Sequence, residues 1–325
     1  MEAWICRESG GIEGLEFGEW EAASPGPGQV LIEVAGCGIN YPDVLMIEGR
    51  YQVRPPSPFV PGGEISGTIK AVGDDVKGLS VGQRVMATIF FGGLTREAVV
   101  PASSVVAIPD SMDFRIASVF QGGHTTSYFA LKQRARLRPG ETLLVLGAAG
   151  GVGMAAMQLG QAMGARVIGA VSTAEKAAAL RGQGFDDVID LSASDLRSAL
   201  KPIAPMGVDV VFDPVGGALL EQASRSVARN SRVLIVGFAS GTIASYQTNI
   251  ALLKESALVG VNYQSFFQHE PDAVKENFAE LFAMQEEGKI SPVIHQAYPF
   301  DQAKEALKAM QSRTVIGKVL VDVAS

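Results

Sequence analysis

Cysteine is nearly missing from this chain: only Cys6 and Cys37 occur in 325 residues. Two thiols build no disulfide framework, and a reducing cytoplasm is the simplest setting for such a sequence. Positive charge is also in deficit, with 27 Lys and Arg against 34 Asp and Glu and a net charge of −7. No basic face follows from that balance, which argues against nucleic acid as the main partner. Long apolar runs are lacking too. The N-terminus, Met1 to Glu8, is charged and does not read as a signal peptide. The most apolar tract, 143–171, is interrupted by glycines and by Arg166, so it reads as strand, turn, helix and strand and not as a membrane span. No short repeat or low-complexity tract is visible. What remains is 47% apolar and 19% charged, the composition of a globular protein, at a length sufficient for two domains with proper cores.

The first 120 residues read as β-rich. Strands are expected at 30–35, 65–72, 84–90 and 96–100, with Gly73-Asp-Asp75 as a turn. The stretch from Tyr51 to Pro61 carries four prolines and reads as a surface loop, because proline lacks a donor and biases the residue before it. From about 141 the rhythm becomes strand then helix. Strands are expected at 143–147, 166–171, 187–189, 208–212, 232–237 and 257–261. Helices are expected at 151–163, 173–182, 194–200 and 218–228. This alternation predicts a doubly wound parallel sheet with helices on both faces, an α/β fold. After 261 come a helix near 272–287, Val293-Ile294, a helix at 301–311 and a last strand at 318–323.

The most informative segment is Leu143 to Gly153, in which an apolar strand runs through Gly147-Ala-Ala-Gly-Gly-Val-Gly153 into a helix. Such a turn offers backbone N–H groups at a helix N-terminus, where a pyrophosphate fits. After the next strand, where a ribose 2′-hydroxyl calls for a carboxylate, the chain has Ser172 and Lys176, and no Asp or Glu occupies 166–174. A 2′-phosphate suits this arrangement, so NADPH is expected ahead of NADH. Ser172-Thr-Ala-Glu175 also reads as a capping box, with Ser172 as the capping residue.

The chain resembles the medium-chain dehydrogenase/reductase superfamily, in its zinc-free quinone oxidoreductase branch. The resemblance is carried by Gly38-Ile-Asn-Tyr-Pro-Asp43, Gly49-Arg-Tyr51, Pro61-Gly-Gly-Glu64, Val81-Gly-Gln-Arg-Val85, Ala148-Ala-Gly-Gly-Val-Gly153, Asp213-Pro-Val-Gly-Gly217 and Gly317-Lys-Val-Leu320, in order along the chain. It implies a GroES-like catalytic domain over 1–121, completed by 264–325, and a Rossmann domain over 122–263. A homodimer, a small-molecule quinone or enone substrate and no membrane partner are expected with it. Zinc-dependent members hold their metal with a cysteine and a histidine where this chain has Asn40 and Gly63, and their four-cysteine lobe is absent here. Cys37 alone does not replace a set of about three protein ligands, and it reads as a small buried apolar residue. No zinc is therefore expected. Without a Lewis acid, hydride transfer to a quinone or an α,β-unsaturated carbonyl is the chemistry that fits best.

The resemblance also places individual residues. Asn40 and Tyr41 correspond to positions near the nicotinamide, and Thr126 to a threonine at the same end. Ala149, Gly150, Gly151 and Val152 line the pyrophosphate turn. Val215, Gly237, Phe238, Ala239, Val261 and Asn262 fall in segments that cross the cofactor, and Arg313 matches an arginine that reaches it. Asn40 also reads as a solvated loop amide, Thr126 as a plain helical threonine, the glycine loop as a structural turn without ligand, and Gly237–Ala239, Val261-Asn262 and Arg313 as local packing. Tyr51 corresponds to a tyrosine proposed as a proton donor in related enoyl-thioester reductases; a phenol is reasonable general acid chemistry, and an aromatic pocket wall is the competing reading. Arg50 and Arg54 flank it and would suit an anionic substrate. Leu191 stands where relatives often add a tyrosine to the 2′-phosphate site, which leaves NADH as the weaker alternative. His124 departs from the family pattern and reads as a packing or surface residue; His269 and His295 carry no partner motif. A NADPH-binding sensor with little catalysis is the competing function.

Overall fold

The computed structural model describes residues 1–21 and 24–324. The chain divides into two compact units, Met1–Gly122 with the segment from Pro292 on, and Gly123–Ser291. In the first unit β1 (Glu2–Cys6) and β2 (Leu15–Glu19) form an antiparallel pair. β3 (Gln29–Ile39), β4 (Glu64–Val72), β5 (Arg84–Thr88), β6 (Glu97–Pro101) and β7 (Val105–Ala107) form an antiparallel sheet centred on β3, which pairs with both β4 and β6. Val30, Ile32 and Val34 alternate inward along β3 and are at most 2% exposed, so its first half follows a period of two. The end of β3 is buried on both faces because the helix Phe114–Phe120 lies on it. Gly38 makes that approach feasible, since a Cβ there would come 2.2 Å from the Ser118 carbonyl oxygen.

The second unit is built on β8 (Thr142–Leu146), β9 (Arg166–Val171), β10 (Val188–Asp190), β11 (Val208–Asp213), β12 (Val227–Ile235) and β13 (Ala257–Gly260). All pair in parallel, in the order β10-β9-β8-β11-β12-β13. This is the doubly wound Rossmann order, and the strand direction of winding reverses between β8 and β11. Leu143 to Leu146 are wholly buried. A strand covered by helices on both faces needs such a continuous apolar run, and each leucine contributes ~1.5–3 kcal/mol by its removal from water. The last strands, β14 (Ile294–Pro299) and β15 (Lys318–Asp322), return to the first unit, where β15 pairs antiparallel with β3.

The sequence anticipates every strand of the parallel sheet and the helices Gly151–Ala162, Ala174–Gly182, Leu196–Ile203, Gly217–Ser224, Pro271–Glu286 and Ala303–Ser312. Two expectations need correction, and one element was missed. Residues 264–291 belong with the second unit and not the first. The helices Tyr263–His269 and Pro271–Glu286 are tied there by Phe266 stacked on Phe129 at 4.3 Å, by the Tyr128 hydroxyl donating to Glu280, and by Gln133 and Asn277 bonding each other in both directions. The proline-rich stretch is irregular, but its end is not surface: Phe59 and Val60 are buried, and Phe59 exchanges two backbone hydrogen bonds with Cys6 at the end of β1. The helical path from Phe114 to Arg134, with wider π-type turns at Gln121–Thr125 and Ala130–Arg134, was not anticipated, because its glycines and threonines mask the period. No helix among the described residues is long and apolar enough to cross a membrane.

Candidate functional site

In the second unit the chain leaves β8 through Gly147 at φ 60°, and Gly150 opens the helix Gly151–Ala162. The Gly150 N–H donates to the Gly147 carbonyl at 3.0 Å and closes the turn. A Cβ on Gly153 would lie 2.3 Å from that same oxygen, so only glycine lets the helix start rest on the turn. Ala148 and Ala149 are buried beneath it, while Gly150 is exposed and Gly151 and Val152 are partly so. The first N–H groups of a helix have no acceptor within it, and they carry the positive end of its dipole. The turn therefore presents donors, no side chains and a favourable field, which fits a pyrophosphate.

The C-terminal ends of the parallel strands gather the other expected residues of this unit on the same edge of the sheet. Asp213 ends β11, and its Oδ1 accepts from the N–H groups of Val215 and Gly216 at 2.8 and 2.9 Å, which shapes the turn carrying Val215. Burial pushes the Asp213 carboxyl above its usual range. Gly237 and Ala239 follow β12, with the Ala239 N–H on the Pro214 carbonyl, and the Phe238 ring is 46% exposed, available to a ligand. The Val261 N–H donates to Ile235, and Asn262 caps the helix Tyr263–His269 by accepting from the Ser265 N–H at 3.1 Å. Thr126 opens a helical turn whose neighbour Ser127 donates to the Val152 carbonyl at 2.8 Å, so the turn is fastened to the start of the glycine helix. His124 is buried and bonds Gln158 at 3.1 Å, a packing role; His269 and His295 are exposed.

After β9 the cap is Thr173 and not Ser172. The Thr173 hydroxyl accepts from the Lys176 N–H at 3.2 Å, because the helix begins at Ala174, one residue later than a Ser172 cap requires. Ser172 is thus left exposed, and Lys176 is partly buried, its ammonium pKa lowered chiefly by that burial. Leu191 packs against the core of the unit after its N–H reaches Val171.

The first unit holds a different kind of site, made of charged side chains. Asn40 follows β3 and caps the helix Tyr41–Ile47. Its backbone N–H donates to Asp43 Oδ2 at 2.7 Å, and Asp43 also receives the Gly63 N–H. The Asn40 Nδ2 donates to Glu64 Oε2 at 3.1 Å, and its Oδ1 accepts from the Lys318 ammonium. Lys318 in turn lies 2.8 Å from Glu64 Oε2, and Glu64 Oε1 takes the Gly122 N–H at 2.7 Å. Glu64 is 1% and Lys318 5% exposed. Asp43 is pushed up to about 7, since burial outweighs its two N–H donors and the nearby ammonium. Burial and the neighbouring carboxylates also raise the Cys37 thiol well above its ordinary value, so it is a buried, unreactive group, as its sequence context implied. Among the described residues no group of three or more His, Cys, Asp and Glu side chains is placed to hold a metal ion.

Tyr41 and Arg313 come together in this unit: Arg313 Nη2 donates to the Tyr41 hydroxyl at 3.1 Å and its guanidinium stands 5.6 Å from the ring centroid. Tyr51 is half-buried against the core, Arg50 pairs with Glu48 at 2.9 Å, and Arg54 is exposed. Glu64 and Lys318 were not singled out from the sequence. The available signal was a charge at the head of an apolar strand, at Glu64 before Ile65 and at Lys318 before Val319.

Two family models match. Residues 26–110 match the alcohol dehydrogenase GroES-like domain, and residues 183–321 match the zinc-binding dehydrogenase family. The chain is 34% identical over 324 residues to the quinone oxidoreductase-like protein 2 homolog of Nematostella vectensis, covering 98% of this chain and 88% of that protein. It is 32% identical to the human synaptic vesicle membrane protein VAT-1 homolog over 329 residues, covering 96% of this chain and 84% of that protein. Among solved structures, Escherichia coli quinone oxidoreductase complexed with NADPH matches with a TM-score of 0.91 at 28% identity, covering 99% of this chain and all of that one. The chain therefore belongs to the medium-chain dehydrogenase/reductase superfamily, in its zinc-free quinone oxidoreductase branch.

Proposed function

We propose that the protein is an NADPH-dependent reductase of quinones or α,β-unsaturated carbonyl compounds, acting without zinc. The observation that carries this reading is the glycine turn at Gly147–Gly153 followed by Ser172 and Lys176, with no carboxylate at 166–174. The donors of the turn suit the pyrophosphate, and the Ser172 hydroxyl with the Lys176 ammonium suits a 2′-phosphate by charge-assisted hydrogen bonds. The NADPH complex of the E. coli relative supports the same cofactor. NADH lacks the 2′-phosphate and is the weaker alternative.

Bound NADPH supplies a hydride from its reduced ring, and the chain's residues supply the rest. Ala149, Gly150, Gly151 and Val152 hold the pyrophosphate. Thr126, Val215, Gly237, Phe238, Ala239, Val261 and Asn262 wall the cofactor from the strand ends. Asn40, with Tyr41 and Arg313, serves the nicotinamide end, and the Asn40 amide hydrogen-bonds to the reacting partners. Tyr51 donates the proton that an enolate requires at carbon. The acceptor is an activated double bond, because conjugation spreads the incoming charge and hydrogen bonds suffice to stabilise it. Mixing the purified protein with NADPH and a panel of quinones, enones and enoyl thioesters tests the reading. Consumption of NADPH with at least one class is expected; none with any acceptor would sink it.

The competing proposal is a NADPH-binding sensor with little turnover. It predicts tight NADPH binding with no oxidation in the same panel. We also propose that the protein is a cytoplasmic homodimer. β13 is an edge strand of the parallel sheet, and Leu252, Leu253 and Leu258 beside or within it are 78, 77 and 47% exposed. Such an apolar edge is a surface that pairing with a second copy would cover. Light scattering at twice the 34.1 kDa chain mass is the expected result.

A further inference from the structure

We infer that Lys318 and Glu64 are positioning residues that hold the Asn40 side-chain amide in one orientation. The inference deepens the reading above, since it rests on Asn40 serving the reacting end of the site. Three hydrogen bonds form a closed ring: Lys318 Nζ to Asn40 Oδ1, Asn40 Nδ2 to Glu64 Oε2, and Lys318 Nζ to the same Glu64 oxygen. An asparagine amide has two nearly isosteric ends, told apart only by the hydrogen-bonding groups around them, and where those groups both donate and accept either orientation is acceptable. Here only one is. An ammonium has no lone pair to accept from an NH2, and a carboxylate has no proton to give to a carbonyl. Turning the amide over would set two donors together beside Lys318 and two acceptors together beside Glu64.

The Asn40 Nδ2 also reaches the Gly38 carbonyl at 3.4 Å, a further acceptor that favours the same orientation. Asn40 sits at the N-cap of the helix Tyr41–Ile47, in a capping box with Asp43 at N3. Asp43 takes the Asn40 backbone N–H at 2.7 Å, which fixes the peptide from which the side chain reaches Lys318 and Glu64. Glu64 is itself held by the Gly122 N–H, and Lys318 is placed by the pairing of β15 with β3, which sets Val319 opposite Ile39 and so Lys318 beside Asn40. A buried ion pair is poor evidence for stability, because apolar residues of the same size often stabilise a core as well or better. Two charges at 1% and 5% exposure, drawn from positions 254 residues apart, instead specify which end of the amide faces which way.

The test uses the full-length protein and three readouts. The double variant Lys318→Met/Glu64→Gln removes both charges of the ring together, so neither is left without the other. Its kcat is expected to fall about tenfold while the Kd for NADPH, measured by fluorescence, stays within about twofold, since a misplaced group costs rate in the reacting complex more than ground-state binding. In an Asn40→Ala background the same double change is expected to have no further effect on kcat; losses that multiply would show that the pair acts independently of Asn40 and would overturn the inference. The third readout needs no activity and no charge variant. With five asparagines in the chain, selective 15N labelling resolves the Asn40 side-chain NH2, assigned by its loss in Asn40→Ala. In the wild type that signal is expected to be shifted and slow to exchange with water; an ordinary, rapidly exchanging NH2 would overturn the inference. Should the acceptor panel show no turnover, the proposed activity fails by itself, and the NMR result still decides the role of Lys318 and Glu64.

Discussion

The glycine turn of the second unit and the charged ring of the first are built on opposite principles. The turn is contiguous, seven residues from Gly147 to Gly153, and works through backbone N–H groups and the absence of side chains. The ring draws on Asn40, Glu64 and Lys318, from three separate segments, and works through side-chain groups held out of water. Backbone donors aim themselves once the turn folds. Buried charges must be assembled by the whole unit, and each is costly unless its partners arrive. The second unit thus presents a generic anion cradle, whereas the first specifies one arrangement of hydrogen-bond donors and acceptors.

The largest effect that separates the two is expected in the pH dependence of folding. Asp43 has a carboxyl pushed up to about 7 from an ordinary 3.8. A raised carboxyl binds its proton more tightly in the folded state, so its contribution to stability is full below about pH 4, falls as pH rises, and is gone above about 7. Relative to Asp43→Asn, the wild type should lose on the order of 4 kcal/mol across that window. Urea denaturation of both proteins at pH 4.5 to 8 measures it; parallel stability curves would show that Asp43 titrates normally and that the first site is not held by buried charge. Gly153→Ala addresses the other side of the comparison. Its Cβ would stand 2.3 Å from the Gly147 carbonyl oxygen, which forces the helix off the turn. A cost of about 3 kcal/mol in stability is expected, with NADPH binding lost in calorimetry and no new pH dependence. Unchanged binding would mean that the turn does not cradle the cofactor.

The same contrast explains what was legible in the sequence. The parallel sheet was readable because Leu143-Leu-Val-Leu146 and its counterparts are short apolar runs between glycine-rich turns, a local signal. That the candidate residues of this unit share an edge was readable for a topological reason: in a doubly wound sheet the residues after β8, β11, β12 and β13 must lie on one edge, whatever their identity. Lys318 was not readable as a partner of Asn40, because nothing local says which strand β15 will join; that follows from the pairing of Val319 with Ile39. The helices at 263–269 and 271–286 lie in a segment, 264–291, expected with the first domain, for a related cause. Their allegiance is set by Phe266 on Phe129 and by Glu280 on Tyr128 and Lys132, contacts that no periodicity announces. The Ser172 cap was missed by one residue because Ser172 and Thr173 are both competent caps, and the end of β9 at Val171 chose between them.

A smaller effect sharpens the cofactor side. Lys176→Ala should raise the KM for NADPH about tenfold and leave that for NADH within about twofold, the loss of one charge-assisted hydrogen bond to a phosphate. Equal changes for both nucleotides would place the 2′-phosphate elsewhere.

The smallest effect concerns Tyr51, on the charged side but outside the ring. Hydride addition to a quinone leaves its negative charge on oxygen, where water supplies a proton readily. Hydride addition to an enone leaves an enolate that must be protonated on carbon, a slower transfer that benefits from a placed acid. Tyr51 is only half-buried, so water shares the task. Tyr51→Phe is therefore expected to slow enone reduction about fivefold, well under the ~10²-fold or more of an indispensable general acid, and to leave quinone reduction unchanged. The ratio of the two kcat values in one protein preparation is the measurement, and it cancels any loss of folded enzyme. If both rates fall together, or neither moves, the ring of Tyr51 walls the pocket and its hydroxyl takes no part, and the first unit's chemistry then rests on the Asn40 amide alone.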